Sequence, residues 1–190
     1  MAQRRFHYEQ AFEHYLRANR VPYVAVDEAK KTLLAKGPAT ASLKSFDFVV
    51  YGAGRNLLVD VKGRMYGGKG GSTTSNRRYE NWVTEDDVKG MTAWQELFGR
   101  EFEAVFVFMY CLRQQPPDAL FEEIFSHGDR WYTLWEAPLA AYREAMVLRS
   151  RRWGTVHVPS EAFGRIRRPF SVRGGGVRGG GCQGDGSAIS

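Results

Sequence analysis

Hydrophobic positions recur every three to four residues near the start of the chain and every second residue further on. Between about residues 5 and 19 they form one apolar stripe, which predicts an amphipathic helix. The stripe consists of Tyr8, Ala11, Phe12, Tyr15 and Leu16. Pro22 excludes a helix at that point, and the run 23–26 is typical of a short strand. Residues 27–36 are polar with a helical pattern.

Two strand-like runs, residues 46–50 and 57–62, lie on either side of a stretch that contains two glycines. This arrangement predicts a β-hairpin. If the turn centres on residues 53 and 54, Asp47 lies directly across the hairpin from Asp60. Because side chains alternate between the two faces of a strand, Asp60 and Lys62 then lie on the same face as each other.

The remaining pattern predicts two further helices and three further strands. Residues 63–81 form a long polar loop, after which Thr84 and Asp87 resemble a capping box at the start of a helix that Gly99 ends. The apolar run 104–112 predicts a strand that is covered on both faces. Strands are also expected at 130–135 and 153–158, and Pro138 is expected to open a helix that runs to about residue 149.

These elements predict an α/β fold with a central mixed β-sheet flanked by helices, in a single domain over residues 1–163. Residues 164–190 form a tail rich in Gly and Arg that we expect to be disordered. The tail holds five Arg and one Asp, so it accounts for four of the six net positive charges of the chain. A basic tail on a nearly neutral body is consistent with a polyanionic partner.

Composition also argues against several classes of protein. No apolar run reaches the length of a membrane span, and the first residues lack the pattern of a secretory signal. We therefore expect a cytoplasmic protein with no membrane partner. The two cysteines, Cys111 and Cys182, are far apart and form no CxxC pair, which argues against a disulfide framework or a structural zinc site.

The predicted hairpin carries two carboxylates that strand formation does not need. Directly opposed residues have Cβ atoms roughly 4.5–5.5 Å apart, so Asp47 and Asp60 would repel each other. A hard divalent cation such as Mg²⁺ (or Mn²⁺) would compensate, since it prefers carboxylate oxygens. With Lys62 alongside, such a site suits phosphodiester hydrolysis. The alternative is that Asp47 begins or breaks a strand and that Asp60 and Lys62 are a solvated ion pair.

The order of these residues resembles the PD-(D/E)XK nuclease superfamily, which includes many restriction endonucleases and the archaeal Holliday-junction resolvases. The resemblance covers about residues 5–112 and rests on a Glu in the first helix, then Ser45-Phe46-Asp47, then Asp60-Val61-Lys62. The Pro that often precedes the first Asp of the family is absent. The resemblance implies a restriction-endonuclease-like fold, a metal held by one Glu and the two Asp, and a lysine that assists the attacking water.

The first helix offers two candidates for the acidic residue that this resemblance requires. Glu9 borders the apolar stripe, and its spacing from the first site strand agrees with a resolvase-like register, so it is preferred over Glu13, which points further outward. The string from His7 to Glu13 also resembles the signature of the HYExAFE family, a resemblance that implies no established activity.

Basic residues outside the hairpin are candidates for contact with nucleic-acid phosphates. They are Arg64, Lys69, Arg77 and Arg78 in the long loop and Arg173 and Arg178 in the tail. The sequence thus favours a Mg²⁺-dependent nuclease, with DNA favoured over RNA as its substrate, and the resemblance allows for a homodimer. The alternatives are a catalytically inactive nucleic-acid-binding module on the same fold and a structural or partner-binding protein.

Overall fold

A β-sheet with helices on both sides organises the residues that this computed structural model describes, which are 3–26, 44–52, 54–66, 79–112 and 124–170. The helices are α1 (Gln3–Ala18), α2 (Glu85–Phe98), α3 (Leu139–Ala145) and α4 (Ser160–Ile166). The strands are β1 (Tyr23–Ala25), β2 (Phe48–Gly52), β3 (Arg55–Met65), β4 (Val83–Thr84), β5 (Phe102–Leu112), β6 (Phe125–His127), β7 (Arg130–Pro138), β8 (Val147–Ser150), β9 (Thr155–His157) and β10 (Arg168–Pro169). The helical pattern at 27–36 lies outside the described residues.

The large sheet has seven strands in the order β1-β2-β3-β5-β7-β10, with β6 paired to β7. β3 and β5 run parallel, whereas the other neighbouring strands are antiparallel, so the sheet is mixed. A second sheet has the order β4-β9-β8. The predicted fold class, an α/β domain with a central mixed sheet flanked by helices, is confirmed.

The β2–β3 hairpin has the register that the sequence predicts. Phe48 pairs with Val59, and Gly52 pairs with Arg55 at the turn. The regular pairing ends at Phe48, one residue before the predicted pair of Asp47 and Asp60, and the Asp47 N–H donates to the carbonyl of Val59 instead. The strands begin and end slightly differently from the prediction, since β2 starts at Phe48 and leaves Asp47 just before it.

Alternation along β3 separates two hydrophobic cores. Leu57, Val59 and Val61 belong to the core that α1 covers through its predicted apolar stripe. Leu58 belongs to the core on the opposite face, together with residues of α2, α3 and α4 such as Met91. All residues from 104 to 112 in β5 are buried, as the prediction of a strand covered on both faces requires.

Helix α2 begins at the predicted capping box. The Thr84 hydroxyl accepts a hydrogen bond from the Asp87 N–H at 3.1 Å, and the Thr84 N–H donates to Asp87 Oδ2 at 2.7 Å. The helix ends before Gly99, which has a φ of 80° that favours glycine. Both ends of α2 are therefore determined locally.

The prediction for the last third of the domain is wrong in two places. The helix that Pro138 opens ends at Ala145 rather than near residue 149, because Val147 and Leu148 pair with β9 as strand β8. The packing also continues past residue 163, where the pattern predicts the end of the domain. Strand β10 pairs with β7, and Phe170 is only 1% exposed in the core under α1. Residues 171–190 lie outside the described residues.

None of the helices in the described part of the chain combines the length and the apolar character needed to cross a membrane.

Candidate active site

Asp47 lies where the backbone ladder of the β2–β3 hairpin ends. Its N–H donates to the carbonyl of Val59 at 2.8 Å, although Val59 is the register partner of Phe48, so the regular ladder ends here. The next donor on β3, the Val61 N–H, is bound by Asp47 Oδ2 at 2.7 Å instead of by a backbone carbonyl. The side chain of Asp47 is thereby held against β3, next to Asp60.

Asp60 is a buried carboxylate in the middle of β3, with only 3% of its surface exposed. The Asp47 carboxyl group is close enough to raise the pKa of Asp60 by repulsion. Lys62, two residues along the same face, places its Nζ 2.7 Å from Asp60 Oδ2. Among the described residues, Asp60 Oδ2 has this ion pair but accepts no hydrogen bond of good geometry. The structure therefore brings Asp47, Asp60 and Lys62 together, as the hairpin register predicts.

Asp87 joins this group from the first turn of α2. Its Oδ1 lies 3.0 Å from Lys62 Nζ and 2.5 Å from Lys44 Nζ, while its Oδ2 belongs to the capping box. The Asp87 side chain is 4% exposed. Lys62 is thus held between two buried carboxylates, one on β3 and one on α2.

Burial has the largest effect on the pKa values of Asp47 and Asp60. Burial raises the pKa of Asp60; Lys62 opposes this increase, and the carboxylates of Asp47 and Asp87 add to it. Burial likewise raises the pKa of Asp47, which the hydrogen bond from the Val61 N–H opposes. Both carboxyl groups would therefore be stabilised in their ionised form by additional positive charge.

The pKa values of Lys62 and Asp87 are shifted in the directions that favour their charged forms. Burial lowers the pKa of Lys62, but the attraction of Asp60 and Asp87 outweighs it and raises that pKa above its ordinary value. Burial also raises the pKa of Asp87, yet Lys62, Lys44 and the Thr84 N–H together hold it well below its ordinary range. Lys62 is consequently a cation and Asp87 an anion at neutral pH.

Glu9 approaches the site from the other face of the sheet. It lies on α1, which covers the face opposite Asp60 and Lys62, and it raises the pKa of Asp47 by repulsion. β2 begins at Phe48, so β3 continues beyond its pairing with β2 at this point. Glu9 is therefore near Asp47 and on a helix that covers the face of the sheet opposite the Asp60 and Lys62 side chains.

A glycine allows α1 to come this close to β3. A Cβ on Gly63 would lie only 2.0 Å from Cδ2 of Tyr8, the residue before Glu9. Glu13, the second choice for the site, is used elsewhere: its Oε1 accepts hydrogen bonds from Arg17 and from the Tyr23 hydroxyl, each at 2.7 Å.

The donor set fits a hard divalent cation in part. Three carboxyl groups (Asp47, Asp60 and Asp87) face two ammonium groups (Lys44 and Lys62), so full ionisation leaves one negative charge without a counter-charge. Carboxylate oxygens are the ligands that Mg²⁺ prefers. However, no three His, Cys, Asp or Glu side chains in the described ranges have the arrangement of a metal site. Asp47 and Asp60 are thus a pair of candidate ligands, with Glu9 nearby.

The remaining predicted residues are less closely connected with this group. Arg64 donates hydrogen bonds to the carbonyls of Gly63 (2.8 Å) and Trp82, and its guanidinium lies 4.1 Å from the centre of the Trp82 ring. It is therefore engaged within the protein. The other predicted phosphate contacts lie outside the described residues: Lys69, Arg77, Arg78, Arg173 and Arg178.

Two residues of the group were not predicted as part of it, namely Asp87 and Lys44. The sequence identifies Asp87 only as a capping residue, because a capping box does not indicate what else its carboxylate contacts. Lys44 reaches Asp87 because its own backbone lies against Gly90 of α2, where a Cβ would be 2.5 Å from the Lys44 carbonyl oxygen. The sequence signal for this close approach between Lys44 and α2 is Gly90, a glycine one turn after the capping box.

Comparison with solved structures gives a distant likeness. The structure of Archaeoglobus fulgidus Hjc, a Holliday junction resolvase from an archaeal hyperthermophile, matches with a TM-score of 0.48 and 12% sequence identity. The match covers 84% of this chain and 92% of that chain. No protein-family model matches the chain, and no curated protein matches it. The side chains of the site, rather than this likeness, support the function proposed below.

Proposed function

We propose that this protein is a divalent-cation-dependent nuclease that hydrolyses phosphodiester bonds, with DNA as its substrate. The observation that carries the proposal is the grouping of the half-buried Asp47 carboxyl, which binds the Val61 N–H, with the buried Asp60 carboxyl and the Lys62 ammonium 2.7 Å from it. Two neighbouring carboxylates with little access to water are costly unless a cation or a proton is shared between them. Such an arrangement suits phosphodiester hydrolysis, since a cation held there adds positive charge against the phosphate.

In this proposal Asp47 and Asp60 hold the cation, Mg²⁺ or Mn²⁺, and Glu9 contributes from the edge of β3. A cation held there would supply an activated water and positive charge against the phosphate. Lys62 adds a fixed positive charge beside the same carboxylate and can orient the attacking water through its N–H donors. Its position on a buried strand limits the motion of its ammonium group.

Asp87 and Lys44 act as positioning residues for Lys62. Asp87 Oδ1 lies 3.0 Å from the Lys62 Nζ and helps to keep this ammonium group protonated. Lys44 balances part of the charge of Asp87, so that Asp87 does not draw Lys62 away from Asp60. Second partners of this kind commonly orient the residues that contact a metal or substrate.

A catalytically inactive nucleic-acid-binding module is the second candidate. The observation that favours it is that both carboxylates next to Lys62 are already paired with that lysine. Such pairing could complete the charge balance of a fold that no longer binds a cation. The two candidates differ in whether cleavage depends on Asp60.

The test compares the full chain with Asp60→Asn and with the matched control Asp86→Asn. Asp86 lies beside Asp87 on α2, but its side chain is 80% exposed. Supercoiled plasmid, linear duplex and four-way junction DNA are incubated with Mg²⁺, Mn²⁺ or EDTA, and a parallel set uses RNA of the same sequence. Calorimetric titration with Mn²⁺ measures cation binding without reference to cleavage.

We expect cleavage by the wild-type protein and by Asp86→Asn only when a cation is present. Asp60→Asn should reduce the rate by about 100-fold or more and should weaken Mn²⁺ binding. Salt-sensitive DNA binding with no cleavage in any cation would instead support the binding module. Cleavage that persists unchanged in purified Asp60→Asn would contradict the assignment of the site.

A further inference from the structure

A basic hairpin outside the proposed active site carries an exposed tryptophan at its tip. Strands β8 and β9 are joined by the turn Arg151-Arg152-Trp153-Gly154. From residue 147 to residue 157 the chain has three Arg and no Asp or Glu. Gly154 has a φ of 51°, which the tight turn requires and which glycine adopts without strain. We refer to residues 147–157 as the Arg-Trp hairpin.

The arginines and the tryptophan of this hairpin are exposed to solvent. Trp153 is 70% exposed, and Arg149, Arg151 and Arg152 are also exposed. Within the described ranges, none of these three arginines forms an ion pair with a carboxylate. The Arg152 guanidinium lies 5.3 Å from the centre of the Trp153 ring, so charge and aromatic surface are adjacent. An exposed indole beside guanidinium groups combines the stacking surface and the positive charge that bind single-stranded nucleic acid.

The Arg-Trp hairpin is physically connected to the proposed active site. β9 pairs with β4, so that Thr155 is the partner of Thr84, the residue that caps α2. The Gly154 carbonyl at the turn accepts a hydrogen bond from the Glu85 N–H at 2.8 Å. The hairpin therefore holds the start of the helix on which Asp87 contacts Lys62.

A second connection runs through Trp82. The Trp82 ring lies 4.1 Å from the Arg64 guanidinium and 5.3 Å from that of Arg149. Arg64 is on β3, two residues beyond Lys62 and on the same face. A positively charged path thus leads from Lys62 to the base of the Arg-Trp hairpin.

We infer that the Arg-Trp hairpin binds a nucleic-acid strand at an unpaired nucleotide, with Trp153 stacked on its base and Arg149, Arg151 and Arg152 on its phosphates. An isolated indole at a hairpin tip can stack only on a base with an open face, whereas a base inside a duplex is covered on both faces. The inference rests on the proposed function, because it assigns the hairpin to the substrate of that site. It narrows the substrate to nucleic acid with an unpaired segment, such as a flap or a branch.

The test measures binding in EDTA, where no cleavage occurs, by fluorescence anisotropy. The ligands are a single-stranded DNA, its RNA equivalent, the blunt duplex, and the duplex with a single-stranded flap. The full chain is compared with Trp153→Ala, Trp153→Phe and Arg151→Gln/Arg152→Gln. Matched controls are Leu97→Ala, which changes a side chain that is 66% exposed on α2, and Arg20→Gln/Arg100→Gln, which removes two exposed charges.

Trp153→Ala should weaken binding to the single strand and to the flap by about 10- to 100-fold, and Trp153→Phe should retain most of the affinity. The Arg151→Gln/Arg152→Gln variant should have a weaker dependence of affinity on salt. Each phosphate contact on a single strand contributes roughly 0.7 to the slope of log K against log salt, so the loss of two contacts should reduce that slope by about 1.4. The control variants should bind as the wild-type protein does. Comparison of the DNA and RNA strands then identifies the preferred backbone.

Equal binding to the blunt duplex and to the flap, or unchanged binding by Trp153→Ala, would overturn the inference. A change in the oligomeric state of Trp153→Ala without a change in binding would also overturn it, since the hairpin would then be an interface between copies. The binding and cleavage assays fail independently, which separates the two proposals. If the hairpin is correctly assigned, flap binding in EDTA depends on Trp153 whether or not the wild-type protein proves to cleave the flap.

Discussion

At the scale of single residues, Asp87 has two functions that can be separated. One carboxylate oxygen completes the capping box with Thr84, and the other holds Lys62 and Lys44. Asparagine has nearly the same shape and can still accept the hydrogen bond from the Thr84 N–H, but it carries no charge. Replacing Asp87 by Asn therefore removes the ion pairs and leaves the cap of α2 in place.

We predict that Asp87→Asn lowers the cleavage rate by about 10- to 100-fold while DNA binding in EDTA is unchanged. The reason is that Lys62 loses the partner that orients it, although Asp60 and Asp47 are intact. Single-turnover cleavage rates of Asp87→Asn and Asp86→Asn provide the measurement. A loss of binding in parallel with the loss of rate would indicate that Asp87 is only a structural residue.

The same variant has a stability effect with a defined dependence on pH. The pKa of Asp87 is held below its ordinary value of 3.8, so its ionised form stabilises the folded state above that pH, and the stabilisation is lost as the pH falls below it. Asp87→Asn should lower the free energy of unfolding by about 1–3 kcal/mol at neutral pH. The difference between the two proteins should shrink below about pH 4. Urea unfolding at pH 3 and pH 7 measures both values.

At the scale of elements, the contact between α1 and β3 brings the N-terminal helix to the site. Tyr8 lies directly on Gly63, and the adjacent residue, Glu9, is the one that acts on Asp47. Any side chain at position 63 would have to displace the Tyr8 ring. The position of Glu9 therefore depends on a glycine in a strand that is otherwise well packed.

We predict that Gly63→Ala lowers the free energy of unfolding by about 1–3 kcal/mol, because its Cβ would overlap the Tyr8 ring. Gly164→Ala is the matched control, since a Cβ there meets no atom within 4 Å, and it should be neutral or slightly stabilising. Chemical unfolding measures both variants. In the double variant Tyr8→Ala/Gly63→Ala, the cost of Gly63→Ala should largely disappear, and a purely additive result would contradict the contact.

At the scale of the whole molecule, a network of ion pairs joins the last strand, β10, to strands β3, β5 and β7 of the large sheet. Glu136 is fully buried on β7; it accepts two hydrogen bonds from Arg55, both at 2.8 Å, and a further one from Arg168 of β10. Arg168 also pairs with Glu103 of β5 at 3.0 Å. Phe170 follows directly and packs on Phe12 and Tyr15 of α1. The last described residues thus belong to the fold.

We predict that a chain truncated after residue 170 is as stable as the full chain, whereas truncation after residue 163 costs at least about 3 kcal/mol. The shorter chain loses the buried Phe170 and one of the two cationic partners of the buried Glu136. Thermal and urea unfolding of the two truncated chains measure the difference. Equal stability would mean that the domain ends at 163, as the sequence pattern alone predicts.

Much of the fold follows from local rules. The α1 stripe, the capping box of α2 and the apolar run of β5 are each determined by a few neighbouring residues, and each is found where it is predicted. The hairpin register follows from its turn, so the proximity of Asp47, Asp60 and Lys62 could be predicted as well. β8 could not, because its residues extend a helical pattern and become a strand only by pairing with β9.

The sequence by itself determined the fold class and the pairing of two aspartates and one lysine on a hairpin, because these depend on periodicity and turn length. Only the tertiary structure decided that Asp87 forms an ion pair with Lys62 and that Glu9 approaches Asp47 from the opposite face of the sheet. It also decided that the domain continues past residue 163, with residues 168 and 169 paired to β7. These features join segments far apart in the chain. Their contacts depend on how helices pack across a sheet, which no local pattern of residues specifies.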